Sequence, residues 1–279
     1  MSAVRWRYIP LLTESGSFHM AADGFLAEQM TEQPVLRFYR WDPHAISLGF
    51  HQKTASINME LCRTQKNLDV VRRPTGGRAI LHAEELTYAV VIPRKSPIAR
   101  GGVHDIHNRI SFAISGGLRS LGYEVKLNSR KADLRQHYSN DADADACFST
   151  SAKYELQIDG KKVVGSAQRK FQHTVLQHGS ILIGSEHQSL IQYMHYTAEQ
   201  QEDIAQQFKQ KTTELSRHSD DSVALAPLCR AIQEGFAETF HCTFNTEPFT
   251  DDELQSIRHR REKYRILERH VSEKDNSRT

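Results

Sequence analysis

The sequence predicts an α+β fold in which a mixed, largely antiparallel sheet is packed by helices. Three observations support this fold class. Short segments rich in β-branched and aromatic residues recur as far as residue 183, an Asp-Gly pair between two of them is typical of an antiparallel hairpin, and helical patterns dominate from about residue 187. The length of 279 residues fits a single domain, residues 1–279, whose C-terminal part is helical.

The first elements follow from local patterns. Residues 6–12 are extended, and Ser17 is the predicted N-cap of a helix that ends near Met30. Strands follow at residues 35–41 and 45–50. The turn between these strands contains a proline, which cannot continue a strand ladder, so the two strands are predicted to form a hairpin.

The next segments lead into and out of a glycine-rich turn. Ser56 is the predicted cap of a second helix that reaches about residue 66, and residues 70–73 form a strand. Residues 85–93 alternate in the manner of a sheet strand and stop at a proline. The apolar spacing over residues 104–121 predicts a helix that faces the core and ends before a glycine.

No metal site is predicted. His104 and His107 lie one helical turn apart without a third ligand nearby, so surface or capping roles are expected for both. Residues 128–146 contain almost no apolar side chains, and a loop of that length is usually either functional or disordered; a lid over a site is the hypothesis. Its acidic end, residues 141–145, lacks the glycine and glutamate that a calcium loop needs.

The remaining strands and helices complete the predicted sheet and its cover. Strands at residues 154–158 and 161–168 flank Asp159-Gly160 as a hairpin, and another strand covers residues 175–183. Four helices are then predicted: at residues 190–196, 198–215 and 223–240, and after the capping box that runs from Thr250 to Glu253.

Composition excludes several classes of protein. The chain has 36 Lys+Arg and 34 Asp+Glu, and a net charge of +2 does not predict binding to nucleic acid or to an anionic membrane. It has neither the apolar core of a secretion signal nor an apolar run of about 18 residues, so a cytoplasmic location is expected. The four cysteines show no CxxC spacing, which favours reduced thiols over a disulfide framework or a zinc site.

The turn Arg72-Arg73-Pro74-Thr75-Gly76-Gly77-Arg78 carries the strongest functional signal. Adjacent glycines allow positive φ angles and close approach of backbone N–H groups to a ligand, and guanidinium groups offer planar donor forks. This pattern indicates a site for an anionic or carbonyl-bearing ligand. An ordinary hairpin turn with solvated arginines is the alternative.

Cys147 and Lys162 are the candidates for covalent chemistry. A thiol becomes nucleophilic as its thiolate, and a nearby ammonium lowers the thiol pKa, so a Cys–Lys pair can support acyl transfer. The predicted hairpin puts Lys162 near its tip and Cys147 before its first strand, so the preceding loop must fold back to bring them together. Alternatively, Cys147 is a small buried hydrophobe.

Several linked motifs resemble one family. They are RRPTGGRAILHAEELTYAVV, FYRWDPHAISLGFHQ, ACFSTSAKYELQIDGKKVVGSAQRK and VLQHGSILI. Together they are similar to the lipoate-protein ligase and octanoyltransferase superfamily, which shares its catalytic fold with biotin-protein ligases. The resemblance runs from about residue 6 to residue 223, and the Ala-Cys-Phe segment is most similar to octanoyl-carrier-protein:protein octanoyltransferases.

The resemblance implies a role for each motif. It assigns the acyl-thioester nucleophile to Cys147 and activation of the thiol to Lys162. It also implies an acyl and carrier-arm pocket with one wall from the glycine turn and its neighbours and another from the second strand of the hairpin: Arg73, Thr75, Gly76, Gly77, Arg78 and His82 on the first, and Gly165, Ser166 and Ala167 on the second. Backbone N–H groups of the glycine turn, or Lys162, would stabilise the oxyanion.

The implied reaction needs no cofactor. The donor would be octanoyl-acyl carrier protein, and the acceptor would be a lysine of a lipoyl domain, in a glycine-cleavage H protein or a dehydrogenase E2. Because carrier proteins are acidic, a basic patch that includes Arg169 and Lys170 is expected, although both could simply be solvated charges. An ATP-dependent lipoate or octanoate ligase, and a non-catalytic binder of acyl carrier or lipoyl domains, remain alternatives.

Overall fold

Two β-sheets carry the fold in the computed structural model of the protein, which describes residues 4–29, 32–65, 67–128 and 155–267. The strands are β1 Val4–Glu14, β2 Val35–Trp41, β3 His44–Leu48, β4 Leu68–Arg72, β5 Ile80–His82, β6 Glu85–Pro93, β7 Lys126–Asn128, β8 Glu155–Ile158, β9 Lys161–Lys170, β10 Thr174–Leu182, β11 Cys242–Thr246 and β12 Arg265–Leu267. The α-helices are α1 Gly16–Glu28, α2 Met59–Thr64, α3 Val103–Ser120, α4 Ala198–Lys211, α5 Leu225–Phe240 and α6 Asp251–Arg260.

The larger sheet has the strand order β11-β1-β2-β6-β10-β9-β8-β7. Strand β1 runs parallel to β11 and β2, and the other neighbours are antiparallel. The smaller sheet has the order β12-β4-β3-β5. This arrangement confirms the predicted α+β class with a mixed, largely antiparallel sheet, and adds a second sheet that was not predicted.

Helices cover the larger sheet on both faces. Helices α3 and α5 pack side by side against one face, around a core that includes Trp6, Ile110 and Phe236. Helix α1 lies between the two sheets, since its apolar side chains contact residues of β2, β6 and β10 as well as Ala45 and Val71 of the smaller sheet. Residues 16–27 of α1 are therefore all buried, and this helix has no solvent-exposed face over that range.

Several local predictions are confirmed. Strand β6 has the predicted bounds, and Asp159 and Gly160 take φ angles of 50° and 75° in the turn that joins β8 to β9. Both hydrogen bonds of the capping box between Thr250 and Glu253 are present at the start of α6. Each of these features depends on neighbouring residues alone, and sequence patterns report such features well.

The predicted hairpin between β2 and β3 is wrong, because the two strands belong to different sheets. Strand β2 pairs with β1 and β6, whereas β3 pairs with β4 and β5. Each strand thus has partners on both edges that lie far away in the sequence. Turn residues between two strands do not reveal such distant partners.

Some helix ends also differ from the prediction. Helix α1 is capped by Ser15 and α2 by Asn58, instead of Ser17 and Ser56, because these side chains accept hydrogen bonds from the first-turn amides. The predicted helix at residues 190–196 is a 3₁₀ segment, Glu186–Tyr193, and α4 ends at residue 211 instead of 215. The short strands β5, β7, β11 and β12 were not predicted. Among the described residues, no helix has the length and apolarity needed to cross a bilayer.

Close packing of α3 on α5 gives a sharp test of the fold. A Cβ atom at Gly117 would lie 2.5 Å from the carbonyl oxygen of Ala231, whereas one at Gly116 would find its nearest neighbour at 3.9 Å. We expect Gly117→Ala to lower the free energy of unfolding by about 1–3 kcal/mol through overpacking. We expect Gly116→Ala to raise it by about 0.5–1 kcal/mol, since alanine is the better helix former. Urea denaturation of both variants measures the difference, and equal effects would contradict this packing.

Candidate functional site

The glycine turn between β4 and β5 is held from inside by Arg73. Its buried guanidinium donates to the carbonyl oxygens of Ser47, Gly76 and Arg78 at 2.8, 2.9 and 2.6 Å. Gly77 has a φ angle of +95°, and a Cβ atom there would lie 2.7 Å from Nη2 of Arg73. Position 77 therefore requires glycine, both for its backbone angle and because a side chain would collide with Arg73. The hydrogen bonds of the Arg73 guanidinium stabilise the turn.

Behind this turn, Thr75 joins a chain of buried polar groups. Its Oγ1 lies 2.6 Å from Nε2 of His178, whose Nδ1 lies 2.7 Å from Oδ2 of Asp23. Burial lowers the pKa of His178 and outweighs the opposing effect of Asp23. His178 is thus neutral: Nδ1–H donates to Asp23, and Nε2 accepts from the Thr75 hydroxyl.

A second buried cluster surrounds His82. The ring stacks on Trp41 with centroids 4.0 Å apart, and Nε2 and Nδ1 lie 2.7 Å from Ser47 Oγ and from Glu85 Oε1 respectively. Burial acts to raise the pKa of Glu85, but the charge of His82 and hydrogen bonds from His82, Thr87 and Ser180 hold that pKa below its ordinary value. Glu85 is therefore an ionised carboxylate that organises its neighbours.

These two clusters form much of the wall of one cleft, called here the main cavity, which has about 340 Å³ of empty space when its opening to solvent is included. Five of the predicted pocket residues line it: Arg73, His82, Gly165, Ser166 and Ala167. The other lining residues come from α1, from the small sheet and its turns, and from β2, β6 and β10: Met20, Tyr39, Trp41, Ser47, Ile80, Thr87, His178, Gly179 and Ser180.

The surface of the main cavity is formed mostly by carbon atoms, although many of its lining residues are polar. Their polar atoms pair with one another or with groups behind the wall: Ser47 with His82, Trp41 with Thr87, Ser180 with Glu85, Tyr39 with Asp23 and His178 with Thr75. Satisfied polar atoms leave the ring faces and methylene groups exposed to the cavity. Such a wall suits an alkyl chain better than a polar ligand.

Lys162 lies in an adjoining cavity, called here the lysine cavity, with about 250 Å³ of empty space. Its lining includes Glu155, His107 and Ser111, and Lys162 Nζ lies 3.1 Å from Glu155 Oε1 in a pair that is more than nine-tenths buried. Ser166 lines both cavities. Strand β9 thus delivers the predicted lysine to a polar space beside the apolar one.

The structure does not bring every predicted site residue to these cavities. Thr75 is buried behind His178 and is not a lining residue, and Gly76, Gly77 and Arg78 lie on the more exposed side of the turn. Cys147 and residues 129–146 of the lid predicted at 128–146 lie outside the described residues, and residue 128 belongs to β7. The catalytic and binding roles assigned from the resemblance therefore stay predictions.

The sequence analysis missed several residues of the site. Asp23 carried no local signal, because its partner His178 lies in a distant element. Trp41, Ser47 and Glu85 stand within the quoted motifs, but no role was assigned to them. His107 was noticed and assigned to the surface or to a cap, yet it lines the lysine cavity, and burial lowers its pKa. Helix α3 contacts β8 and β9, and the helical spacing that defines its inward face was the signal that could have revealed His107.

The described part of the chain contains neither a cysteine with a lowered pKa nor a cluster of metal ligands. Burial raises the pKa of Cys62 to about 11 and those of Cys229 and Cys242 to about 12. These three thiols are protonated at neutral pH and are poor nucleophiles. No group of three or more His, Cys, Asp or Glu residues within the described ranges is arranged to hold a metal ion.

Comparisons with known proteins agree with this architecture. Residues 15–237 match the family described as lipoyl protein ligase A/B catalytic domain. The chain is 33% identical over 255 residues to octanoyltransferase LipM of Brevibacillus brevis, covering 90% of this chain and 92% of that relative. It is 32% identical over 264 residues to octanoyltransferase LipM of Bacillus subtilis, covering 93% and 95%.

Solved structures show the same fold at lower identity. A bipartite lipoate protein ligase from Thermoplasma acidophilum superposes with a TM-score of 0.73 at 21% identity and covers 93% of both chains. A lipoate-protein ligase A bound with ATP gives a TM-score of 0.72 at 21% identity, covering 93% of this chain and 95% of that one.

Proposed function

Because the chain belongs to the lipoyl protein ligase A/B catalytic domain family, we propose that it is an octanoyltransferase of lipoate biosynthesis. It moves an octanoyl group from octanoyl-acyl carrier protein to a lysine of a lipoyl domain. The observation that carries this proposal is its 31–35% identity to several octanoyltransferases over about nine-tenths of each chain. The apolar main cavity beside Lys162 supports it with a place for the alkyl chain.

The reaction proceeds in two exchanges at one sulfur atom. The Cys147 thiolate attacks the carbonyl carbon of the donor thioester, and the carrier thiolate leaves with a proton from the medium. The amine of the acceptor lysine, after its ammonium has lost one proton, attacks the carbonyl carbon of the acyl-enzyme. The nitrogen releases a second proton to the medium as the amide forms and the Cys147 thiolate departs. The thioester is already activated, so no ATP is consumed.

The two cavities have different roles in this reaction. The main cavity removes the alkyl chain from water, which contributes about 0.8 kcal/mol for each buried methylene. The ammonium of Lys162 lies in the adjoining polar cavity, where it stabilises a nearby thiolate. The described cysteines are buried and protonated, and this favours Cys147 as the nucleophile.

The carrier protein docks beside the glycine turn. Arg169, at the end of β9, donates to the Pro74 carbonyl at 2.7 Å, and its guanidinium lies 4.0 Å from the centre of the Phe50 ring. Lys170 is exposed next to it. These cations suit an acidic acyl carrier protein. The acceptor is a lipoyl domain of a glycine-cleavage H protein or a dehydrogenase E2, and the reaction takes place in the cytoplasm.

Intact-protein mass spectrometry tests this function. After incubation with octanoyl-acyl carrier protein, the wild type should carry one octanoyl group that hydroxylamine removes, and Cys147→Ala should carry none. Cys62→Ala, which removes a buried thiol, is the matched control and should acylate normally. An adduct that persists in Cys147→Ala contradicts the assignment of the nucleophile.

Two assays separate this proposal from its rivals. Exchange of pyrophosphate into ATP in the presence of free octanoate or lipoate indicates an ATP-dependent ligase. Tight binding of carrier or lipoyl domain without an adduct, transfer or exchange indicates a non-catalytic binding protein. The octanoyltransferase should instead transfer the labelled acyl group to a lipoyl domain without ATP.

A further inference from the structure

A row of residues along the main cavity changes from small to large across the sheet. The strand register places four of the lining residues opposite one another on neighbouring strands: Gly165 of β9, Ser180 of β10, Thr87 of β6 and Tyr39 of β2. Residues paired in this way share one face of the sheet. The row therefore begins at β9 with a glycine, which has no side chain, and ends at β2 with an aromatic ring.

The main cavity opens near β9 and is closed near β2. Ser166 and Ala167 on β9 are half-buried, whereas Tyr39 on β2 and Met20 on α1 are only 0% and 1% exposed. Helix α1 packs between the two sheets and contacts β2, so it covers the inner end of the row. The cavity thus has a mouth at β9 and an end wall formed by α1 and β2.

This geometry decides how an acyl chain lies under the proposed function, on which this inference rests. The carrier protein is far too large to enter the cavity, so the thioester stays at the mouth and the methyl end of the chain points to the end wall. Neighbouring strands lie about 4.8 Å apart, so the three gaps from β9 to β2 span about 14 Å. An extended chain of eight carbons covers about 9 Å, since its C–C bonds are about 1.5 Å long. The remaining length is taken up by the side chains of the end wall, which the methyl group meets.

The large side chains of the end wall differ in their freedom. The Tyr39 hydroxyl donates to Asp23 Oδ2 at 2.8 Å, and Trp41 Nε1 donates to Thr87 Oγ1 at 2.7 Å. Shortening either ring side chain would leave a buried polar partner unpaired. Met20 lies in the same hydrophobic cluster, but its thioether needs no hydrogen bond and its unbranched side chain adapts to its surroundings. The size of the residue at position 20 can therefore change without breaking the polar network.

We propose that Met20 determines the longest acyl chain that the protein accepts, because its side chain closes the inner end of the main cavity beside Tyr39. A longer chain must either leave methylenes in water at the mouth or displace the Met20 side chain. Each buried methylene raises the affinity about fourfold, and a chain that does not fit loses this gain. The wild type should therefore prefer octanoyl to decanoyl donors.

Substitutions that change the size of the side chain test this role. Met20→Ala removes Cγ, Sδ and Cε, which makes room for about two more methylenes, and it should raise kcat/KM for decanoyl relative to octanoyl about tenfold. Met20→Val should shift the preference in the same direction by a smaller factor. Met20→Phe should shift it toward hexanoyl. The wild type and each variant receive an equal mixture of hexanoyl-, octanoyl- and decanoyl-acyl carrier protein, and intact-protein mass spectrometry gives the ratio of the three acyl-enzymes.

Met194 provides the matched control. It is 3% exposed, belongs to a different hydrophobic cluster from Met20 and does not line the main cavity. Met194→Ala also leaves a void in the interior, so it should lose a comparable amount of stability. Its preference for octanoyl should nevertheless equal that of the wild type, which separates the effect of the end wall from a general loss of packing.

Binding of free octanoate and decanoate, measured by isothermal titration calorimetry, needs no chemical step. The ratio of the two affinities should shift toward decanoate in Met20→Ala and, by less, in Met20→Val. If the octanoyl-enzyme forms with the same chain-length preference in the wild type, Met20→Ala and Met20→Phe, the role of Met20 is overturned and the proposed function stands. A wild type that forms no acyl-enzyme overturns the proposed function instead, and the affinity ratios then decide the role of Met20 by themselves.

Discussion

Replacement of Lys162 by methionine should lower kcat/KM for octanoyl transfer by about 10³-fold, within the range that acid–base groups contribute to enzymes. Methionine fills much of the volume of lysine but carries no charge. Without the ammonium, the thiol of Cys147 is predicted to remain protonated at neutral pH, and the rate of acyl-enzyme formation should fall with it.

The buried partner of Lys162 requires a second variant. Nζ lies 3.1 Å from Glu155 Oε1, and both side chains are less than a tenth exposed, so Lys162→Met alone leaves a carboxylate in the interior. Removing one partner of a buried ion pair is strongly destabilising. The double variant Lys162→Met/Glu155→Gln removes both charges, so it should fold better than the single variant and remain inactive.

Lys161 provides the matched control on the same strand. Its ammonium is exposed and donates to the carbonyl oxygen of Lys209. Lys161→Met should therefore leave the rate of octanoyl transfer unchanged. Octanoyl-enzyme formation is followed by rapid quench and mass spectrometry over a range of pH. A folded Lys162→Met/Glu155→Gln protein that acylates within tenfold of the wild type would show that Lys162 is not the activating group.

Replacement of Asp23 by alanine should lower the free energy of unfolding by about 3–5 kcal/mol, the cost of breaking a buried charge pair from one side. Asp23 is fully buried and lies 2.9 Å from Arg37 Nη1, 2.8 Å from the Tyr39 hydroxyl and 2.7 Å from His178 Nδ1. Without it, the Arg37 guanidinium is buried beside His19 with no counter-charge from Asp23. Its Nε atom already has no partner among the described residues.

This loss is large compared with the 5–15 kcal/mol that typically stabilises a folded domain. Glu28, on the same helix, is the matched control: it pairs with Arg260 and Lys263 near the surface, and Glu28→Ala should cost no more than about 1 kcal/mol. Urea denaturation gives both values. Asp23→Asn, which keeps the shape without the charge, should fall between them, and similar losses for Asp23→Ala and Glu28→Ala would refute the predicted cost.

The parts of the fold that the sequence predicted correctly depend on short-range patterns. The strand Glu85–Pro93, the turn at Asp159 and Gly160, and the capping box of α6 were all visible in neighbouring residues. The pairing of β2 with β3 was predicted wrongly because turn residues reveal nothing about distant partners. The continuous burial of α1 between two sheets was likewise not predicted, because it depends on strands that lie far from the helix in the sequence.

In the site, too, motifs of adjacent residues were predicted and contacts between distant residues were not. Lys162, Arg73, His82 and the Gly165-Ser166-Ala167 segment were identified from motifs, and the structure places them around two adjoining cavities. The residues that hold them were not identified. Asp23 meets His178 across 155 residues of sequence, and Glu85 meets Ser180 across 95.

The amino-acid sequence by itself determined the fold class, the family and the candidate nucleophile and lysine, since motifs of adjacent residues carry those properties. Tertiary structure alone decided which polar groups are paired and which way their protons point. A hydrogen bond depends on the distance and direction between two atoms, and residues far apart in the chain acquire both only when the strands are assembled. The hydroxyl of Thr75 shows this, since its partner His178 lies 103 residues away in the sequence.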